Sequence, residues 1–415
     1  MLQTSYSFRY VQYFVADLAG DLNRAKVLYG TIKFDGKGGY TLSGISFVDS
    51  NSASLFPGGL PSSASATGTY SIGACGLGFL SNPLSPGDVI WGTVSAGGIF
   101  VGSTTETANA FNDLFVAAPS VAPSLSGAYS VAYLNFPDGL SADNVAVGFQ
   151  MSPDGRGNQG TLNMLAYQGS SSSAINVSEP ATYSLYQTLG VLDFPGYGPA
   201  IAGQKIFYVS PDGNFLFGGG PATFDMFFGV RTGQGGFLTN TPFGAGNFSG
   251  LYYQAGIDEI MAGSGSSLVG SLQTYYGSLD SVFSSGTFRP DSGILLDHQR
   301  SVAPLRASQQ ATSYPFLPFS VPFQPFSYTY EDLFDSGFGS NATGYTDSAT
   351  NRQYVIGGQG TMRLGFGLYP NLGISIALQV PGAARILRPC ISIPSACSMR
   401  PVMHRIQPVS PPASS

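Results

Sequence analysis

The sequence predicts an all-β protein built as tandem small antiparallel β-barrels, about three units along one chain, with paired β-sandwiches as the alternative. Three observations predict this: an unusual composition, turn signals at short intervals, and landmarks that return in order along the chain. Only 10% of the 415 residues are charged, against about 25% in an average soluble protein. The chain holds 56 Gly, 30 Phe and 23 Tyr, so helix formers are replaced by small and aromatic residues that suit strands and tight turns. Its acids are 19 Asp and 4 Glu, and Asp serves turns by accepting hydrogen bonds from nearby backbone N–H groups.

The landmarks define the units. Tyr6 returns as Tyr129, the Asp35-Gly36 turn as Asp154-Gly155, the triplet Thr69-Tyr70-Ser71 as Thr182-Tyr183-Ser184, and the stretch Phe111–Phe115 as Phe224–Phe228. The offsets of 123, 119, 113 and 113 residues keep order and spacing. Ser249-Gly250-Leu251-Tyr252 echoes Ser126-Gly127-Ala128-Tyr129 at 123 residues and opens a third unit. The expected boundaries are residues 1–118, 119–232 and 233–381, with a Pro-aromatic insertion at 313–328 and a disordered tail at 382–415. The joins are rich in Pro, Ser and Gly, as linkers are.

Within unit two, eight runs read as strands: Ala128–Phe136, Asn144–Met151, Gly160–Tyr167, Ala181–Leu189, Val191–Phe194, Gln204–Ser210, Asn214–Gly218 and Phe224–Arg231. Val145, Val147, Phe149 and Met151 alternate with Ala146, Gly148 and Gln150, the period of a strand. Sequential hairpins closing an eight-stranded barrel remove both sheet edges, so first and last strands are expected to pair. No stretch carries a capped helical period longer than about three turns.

Composition also excludes functions. A net charge of −6 without a basic patch argues against nucleic acid. No window holds the run of about 18 apolar residues that a membrane helix needs. The start lacks the basic and apolar regions of a signal peptide, yet the composition is that of a mature exported protein, so the expected location is extracellular or cell-surface, with a start codon placed too far downstream. Only Cys75 precedes residue 383, so no disulfide is expected within the main body.

The local motifs read as structure rather than chemistry. The Asp-Gly loops at Asp35, Asp154 and Asp212 each hold one Asp and no following Glu, whereas calcium takes six to eight oxygens; they read as hairpin turns. His298 and His404 are the two histidines. Asp297 and His298 are neighbours and point to opposite faces of a strand, so they form no dyad, and zinc needs three or four clustered ligands. The adjacent acids Asp258-Glu259 and Glu331-Asp332 read as solvated strand ends. Asn176, Asn247 and Asn341 are sequons expected by chance, and Trp91 reads as a core or rim residue. No catalytic residue, cofactor or metal site is expected. One candidate interaction surface stands out: Ser313–Tyr328, with prolines at 315, 318, 322 and 325. Its Tyr314, Phe316, Phe319, Phe323 and Phe326 are expected to run extended near polyproline II, covering the third unit or facing a polysaccharide or protein ligand.

The block Gln353–Pro381, QYVIGGQGTMRLGFGLYPNLGISIALQVP, resembles the region just before the uncharacterised Solibacter-type C-terminal domain of large secreted acidobacterial proteins. The FDGxG turns and G-x-Y-S strands of units one and two are similar to β-repeats upstream in such proteins. The resemblance implies export and carries no catalytic residue. That domain should follow Pro381 and does not. Residues 383–415 hold four of the 17 basic residues, none of the acids, two of three Cys and six Pro. Read in a shifted frame with free choice of synonymous codons, the tail from Ile393 permits DPLGVLNAAS, the opening of such a domain, so a frameshift near Pro381–Leu387 is expected. The function expected is that of a non-catalytic secreted or cell-surface β-repeat protein with a structural or binding role. An outer-membrane barrel and a hydrolase with loop-borne acids are the alternatives.

Overall fold

A computed structural model of the chain describes residues 2, 4–16, 20–50, 61–73, 76–104, 111–196, 200–232, 250–262, 269–284, 287–290, 294–303, 306–315, 344–347 and 352–380. Among them the chain is all β apart from short 3-10 turns, with two closed eight-stranded antiparallel barrels and a third sheet. The first barrel comprises β1 (Ser5–Val15), β2 (Leu22–Phe34), β3 (Gly39–Asp49), β4 (Ser62–Ile72), β5 (Leu77–Ser81), β6 (Val89–Val94), β7 (Phe100–Ser103) and β8 (Asn112–Pro119). The second comprises β9 (Tyr129–Asn135), β10 (Val145–Met151), β11 (Asn158–Gln168), β12 (Ser171–Leu185), β13 (Gly190–Phe194), β14 (Gly203–Val209), β15 (Phe215–Gly219) and β16 (Met226–Arg231). Each is a meander closed by its first and last strands, β1 on β8 and β9 on β16. The sandwich alternative is thereby set aside, because no sheet edge is left open in either unit.

The eight runs expected in unit two all appear, and the largest departure is β12. It begins at Ser171, ten residues before Ala181, because Ser171–Ser178 pairs with β11 in a long hairpin despite its polar composition. The landmarks fall on equivalent elements. Tyr6 and Tyr129 open the first strands, Asp35 and Asp154 turn strand two into strand three, and Tyr70 and Tyr183 lie on the fourth strands. One landmark is out of register. Tyr10 lies opposite Phe115 and Tyr133 opposite Phe227, so the closing strands correspond at 112 residues, not 113. A run of successive Phe residues hides a one-residue slip in the sequence, and pairing resolves it because a slip turns every side chain to the other face.

Both barrels are filled. Tyr6, Phe8, Tyr10, Phe34, Phe100 and Phe115 are among the side chains that close the interior of the first, and Tyr133, Val147, Phe149, Leu192, Phe207 and Phe227 are among those that close the second. Eight strands leave just enough room for such a packed interior. The outward faces divide in two. Val11, Tyr13, Leu114 and Val116 of the first barrel join Leu134, Phe217, Phe228 and Val230 of the second in one core. The other outward faces meet water: on β4, Ser63, Ser65, Thr67 and Thr69 are exposed and alternate with Ala64, Ala66 and Tyr70.

The third unit is a nine-stranded sheet rather than a closed barrel among the described residues. It contains β17 (Gly250–Ala262), β18 (Val269–Ser284), β19 (Thr287–Pro290), β20 (Ile294–Ala303), β21 (Arg306–Pro315), β22 (Gly344–Asp347), β23 (Arg352–Gly357), β24 (Met362–Gly367) and β25 (Asn371–Gln379). The order is β21-β20-β18-β17-β25-β24-β23-β22, with β19 also on β18. Ala255, Ile257, Leu272, Ile374 and Ile376 place its inner face in the same core as the two barrels. Three units thus share one apolar centre, and its burial is the dominant force joining them.

One expectation changes here. Tyr314 does not run as polyproline II; it pairs with Leu295 in the edge strand β21, where Pro315 ends the ladder without costing an interior hydrogen bond. Phe316, Phe319, Phe323 and Phe326 lie outside the described residues, as do Glu331-Asp332 and the tail 382–415.

Candidate functional site

The Asp-Gly loops are turns held by their own carboxylates. Asp35 Oδ1 accepts the N–H groups of Lys37 at 2.7 Å and Gly39 at 2.8 Å. Asp154 Oδ1 accepts those of Arg156 at 2.7 Å and Asn158 at 3.0 Å. These N–H donors hold both carboxyls below the usual carboxylate range. In each barrel the turn is also bound to the fourth strand: Tyr70 N donates to Gly38 O and Tyr183 N to Gly157 O. Asp212 Oδ1 accepts the Asn214 N–H and the Ser210 hydroxyl. Among the described residues no three His, Cys, Asp or Glu side chains gather closely enough to hold a metal ion.

The side chains with chemical potential lie elsewhere, in two buried polar clusters. In the first barrel, Tyr10 Oη donates to Asp113 Oδ2 at 2.6 Å and accepts the amides of Asn82 at 2.7 Å and Gln12 at 2.8 Å. Asp113 Oδ1 also accepts the Ser103 hydroxyl at 2.9 Å and the Thr104 backbone N–H at 2.8 Å. Burial, and then the Asp113 charge, push the Tyr10 phenol well above its usual value. It is therefore a fixed neutral donor.

The second barrel has its acid at the matching place. Asp113 precedes Phe115 by two residues and Asp225 precedes Phe227 by two. Asp225 is fully buried; its Oδ2 receives Lys205 Nζ at 2.6 Å and its Oδ1 receives Arg9 Nη2 at 3.3 Å, Gly220 N at 2.7 Å and Thr223 Oγ1 at 2.7 Å. Burial alone would raise this carboxyl, but the charges of Lys205 and Arg9 outweigh it and hold Asp225 well below the usual range. Arg9 belongs to β1 of the other barrel. Its guanidinium also donates to the carbonyls of Gly220 at 3.1 Å, Thr223 at 3.0 Å and Asp225 at 2.8 Å, and it lies 5.7 Å from the centre of the Tyr29 ring. Tyr13 Oη donates to Phe224 O, and Tyr29 Oη to Pro221 O at 3.0 Å. Three side chains of the first barrel therefore clasp the loop that joins β15 to β16.

What these clusters can do is limited by burial. Arg9, Tyr10, Asp113 and Asp225 are 0% exposed, so the Tyr–Asp and Lys–Asp pairs are shielded from solvent. Their role is to fix register and loop path by satisfying buried polar groups.

Other sequence candidates are placed plainly. Asp297 and His298 are successive residues of β20, opposite Gly277 and Tyr276 of β18. Trp91 is half-buried on β6, packed on the shared core with its ring 5.5 Å from Phe79. Asn176 is exposed on β12. Asp258 and Glu259 are not solvated strand ends: they lie within β17 at 2% and 0% exposure. The signal was in the alternation Ala255, Ile257, Glu259, Met261, which puts Glu259 on the apolar face. Arg9 had a similar signal, a lone charge inside the aromatic run of β1. Lys205 and Asp225 had none, because their pairing joins distant strands.

Exposed polar rows are the remaining candidate for contact with a ligand. Thr41 of β3 stands opposite Thr67 of β4, and in the second barrel Asn163 of β11 stands opposite Ser178 of β12, whose hydroxyl it accepts at 2.7 Å. Both hairpins present short hydroxyl and amide side chains to water. No family model matches the chain, and no curated protein matches it.

Proposed function

We propose that this chain is a non-catalytic secreted or cell-surface β-repeat protein, with two duplicated barrels serving as a rigid scaffold for a structural or binding role. The observation that supports it best is the distribution of polar groups. Inside each barrel the acids are consumed by internal hydrogen bonds, and outside, the free strand faces carry Ser, Thr and Asn in rows. Contact with a partner would then occur on those rows, through hydroxyls and amides suited to a polysaccharide or a protein surface. Matching turns, matching inward tyrosines and the matching acids Asp113 and Asp225 favour duplication of one barrel. The resemblance of Gln353–Pro381 to secreted acidobacterial proteins supports export.

An outer-membrane barrel needs a continuous apolar band facing lipid. The apolar outward faces here are spent on the core between units, and the exposed rows are polar. The test is vesicle flotation of the full chain purified without detergent, alongside a panel of glycoside and ester substrates. A folded protein that stays with the dense fraction and turns over none of the panel supports the proposal. Flotation would restore the membrane reading, and turnover abolished by removal of a loop acid would restore the hydrolase.

A further inference from the structure

Glu259 is the one buried carboxyl whose two oxygens both lack a hydrogen-bonding partner among the described residues. It sits at 0% exposure on the inner face of β17, between Ile257 and Met261, opposite Leu272 of β18 and Leu372 of β25. All four of those residues belong to the core shared by the three units.

Its place is a three-way junction. From the first barrel comes the β1–β2 connection, whose Gly20 packs so closely on the Gly270 backbone of β18 that a Cβ there would stand 2.6 Å from it. From the second comes the segment after β9: Ser141 N donates to Asp21 Oδ1 at 2.8 Å, and Leu22 N donates to Gly139 O at 2.7 Å. Beside Glu259, β18 contributes Thr274, which donates to Asn112 of β8 at 3.2 Å.

Among the described residues of the two connecting segments, the charged side chains are acidic. Asp21 of the first barrel acts on Glu259, and the second barrel's segment carries Asp138 and Asp143. Leu272 and Leu372 face it from the third sheet, and Asp258 points to the opposite face of β17. Among the described residues no cation acts on Glu259. A resident metal does not fit, since calcium takes six to eight oxygens and Glu259 lies among Leu272, Leu372, Ile257 and Met261. The carboxyl can be docked there only with its proton on, since an isolated buried charge costs far more than a neutral acid.

We propose that Glu259 is a proton-operated latch between the third sheet and the barrel pair, closed while its carboxyl is neutral and released when it ionises. The direction follows from linkage. Below about pH 4.3, the ordinary value for Glu, docked and undocked states both hold the proton and Glu259 is silent. As pH rises, the undocked state gives up the proton and the docked state keeps it, so docking weakens until the docked carboxyl itself ionises. Burial first, and the Asp21 charge second, push that ionisation well above the usual range.

Hydrogen exchange of the intact chain across pH 5 to 8 tests it. After correction for intrinsic exchange, the opening equilibrium of β17 and β18 amides should rise with pH, by at most about tenfold per unit, one proton's worth, while β3 and β4 amides do not follow. In Glu259→Gln the rise should vanish, and the melting temperature should become independent of pH over the same range relative to wild type. Equal pH response in wild type and Glu259→Gln would overturn the latch. Should that variant fail to fold, the wild-type profile alone decides: flat β17 and β18 openings overturn it. Calcium that closes the wild type at pH 8 but not Glu259→Gln would also overturn it, in favour of a cation site.

Discussion

Replacing Arg9 by Ala is the sharpest test of how the two barrels are joined. The side chain makes bonds to three backbone carbonyls of the 220–225 loop and one to Asp225 Oδ1, all across the barrel interface. Truncation leaves those buried carbonyls without their donor, at about 1–3 kcal/mol for an unsatisfied group, and such costs do not add in full. Asp225 keeps Lys205, Gly220 N and Thr223 Oγ1, so the acid is weakened rather than stranded. Breaking a buried ion pair from one side costs about 3–5 kcal/mol, and the retained Lys205 places the expected loss toward the lower end, about 3 kcal/mol. Urea unfolding read by far-UV circular dichroism measures it, and fluorescence of Trp91, which sits in the first barrel, adds a local probe. Arg9→Lys should recover less than half of the loss, because an ammonium cannot reproduce the planar fork. A loss below about 1 kcal/mol for Arg9→Ala, the scale of an exposed pair, would refute the reasoning.

Three further outcomes follow from the same contacts. Asp225 has its carboxyl held down in the folded state, so its contribution is present above about pH 3.9, the unfolded value, and is lost as pH falls toward the folded one; Asp225→Asn should be less stable at neutral pH and should lack that acid-dependent loss in a pH series of melting curves. Tyr10→Phe removes the hydroxyl shared by Asp113, Asn82 and Gln12, and denaturation midpoints should report a loss of about 1–3 kcal/mol. Gly155→Ala tests the turn alone: with φ at +76° and nothing within 4 Å of the new Cβ, only the backbone penalty of about 1–2 kcal/mol should appear, whereas no change would show that the loop relaxes.

Much of the architecture was legible because it depends on local signals. Strand period, Asp-Gly turns and returning tyrosines set eight strands per barrel and the pairing of first with last. What escaped depends on partners far away in sequence. The hairpin Ser171–Ser178 looks like a loop until β11 offers it a ladder. The 113-residue offset misplaces the closing strand by one residue because Phe recurs there on both faces. Asp258-Glu259 read as solvated because adjacent acids usually are; the local alternation puts Glu259 on the apolar face of β17, but the interface that buries that face is built from all three units. Arg9 and Asp225 are 216 residues apart, beyond any local pattern.

Native-state hydrogen exchange on the intact chain near pH 5 tests most directly whether three units share one core. The slowest amides should lie together on β1, β8, β9, β16, β17 and β25, the strands that supply the common apolar centre, and Arg9→Ala should speed the strands of both barrels. Slow exchange confined to one barrel, with β17 and β25 opening independently and Arg9→Ala felt only in β1, would contradict a shared core.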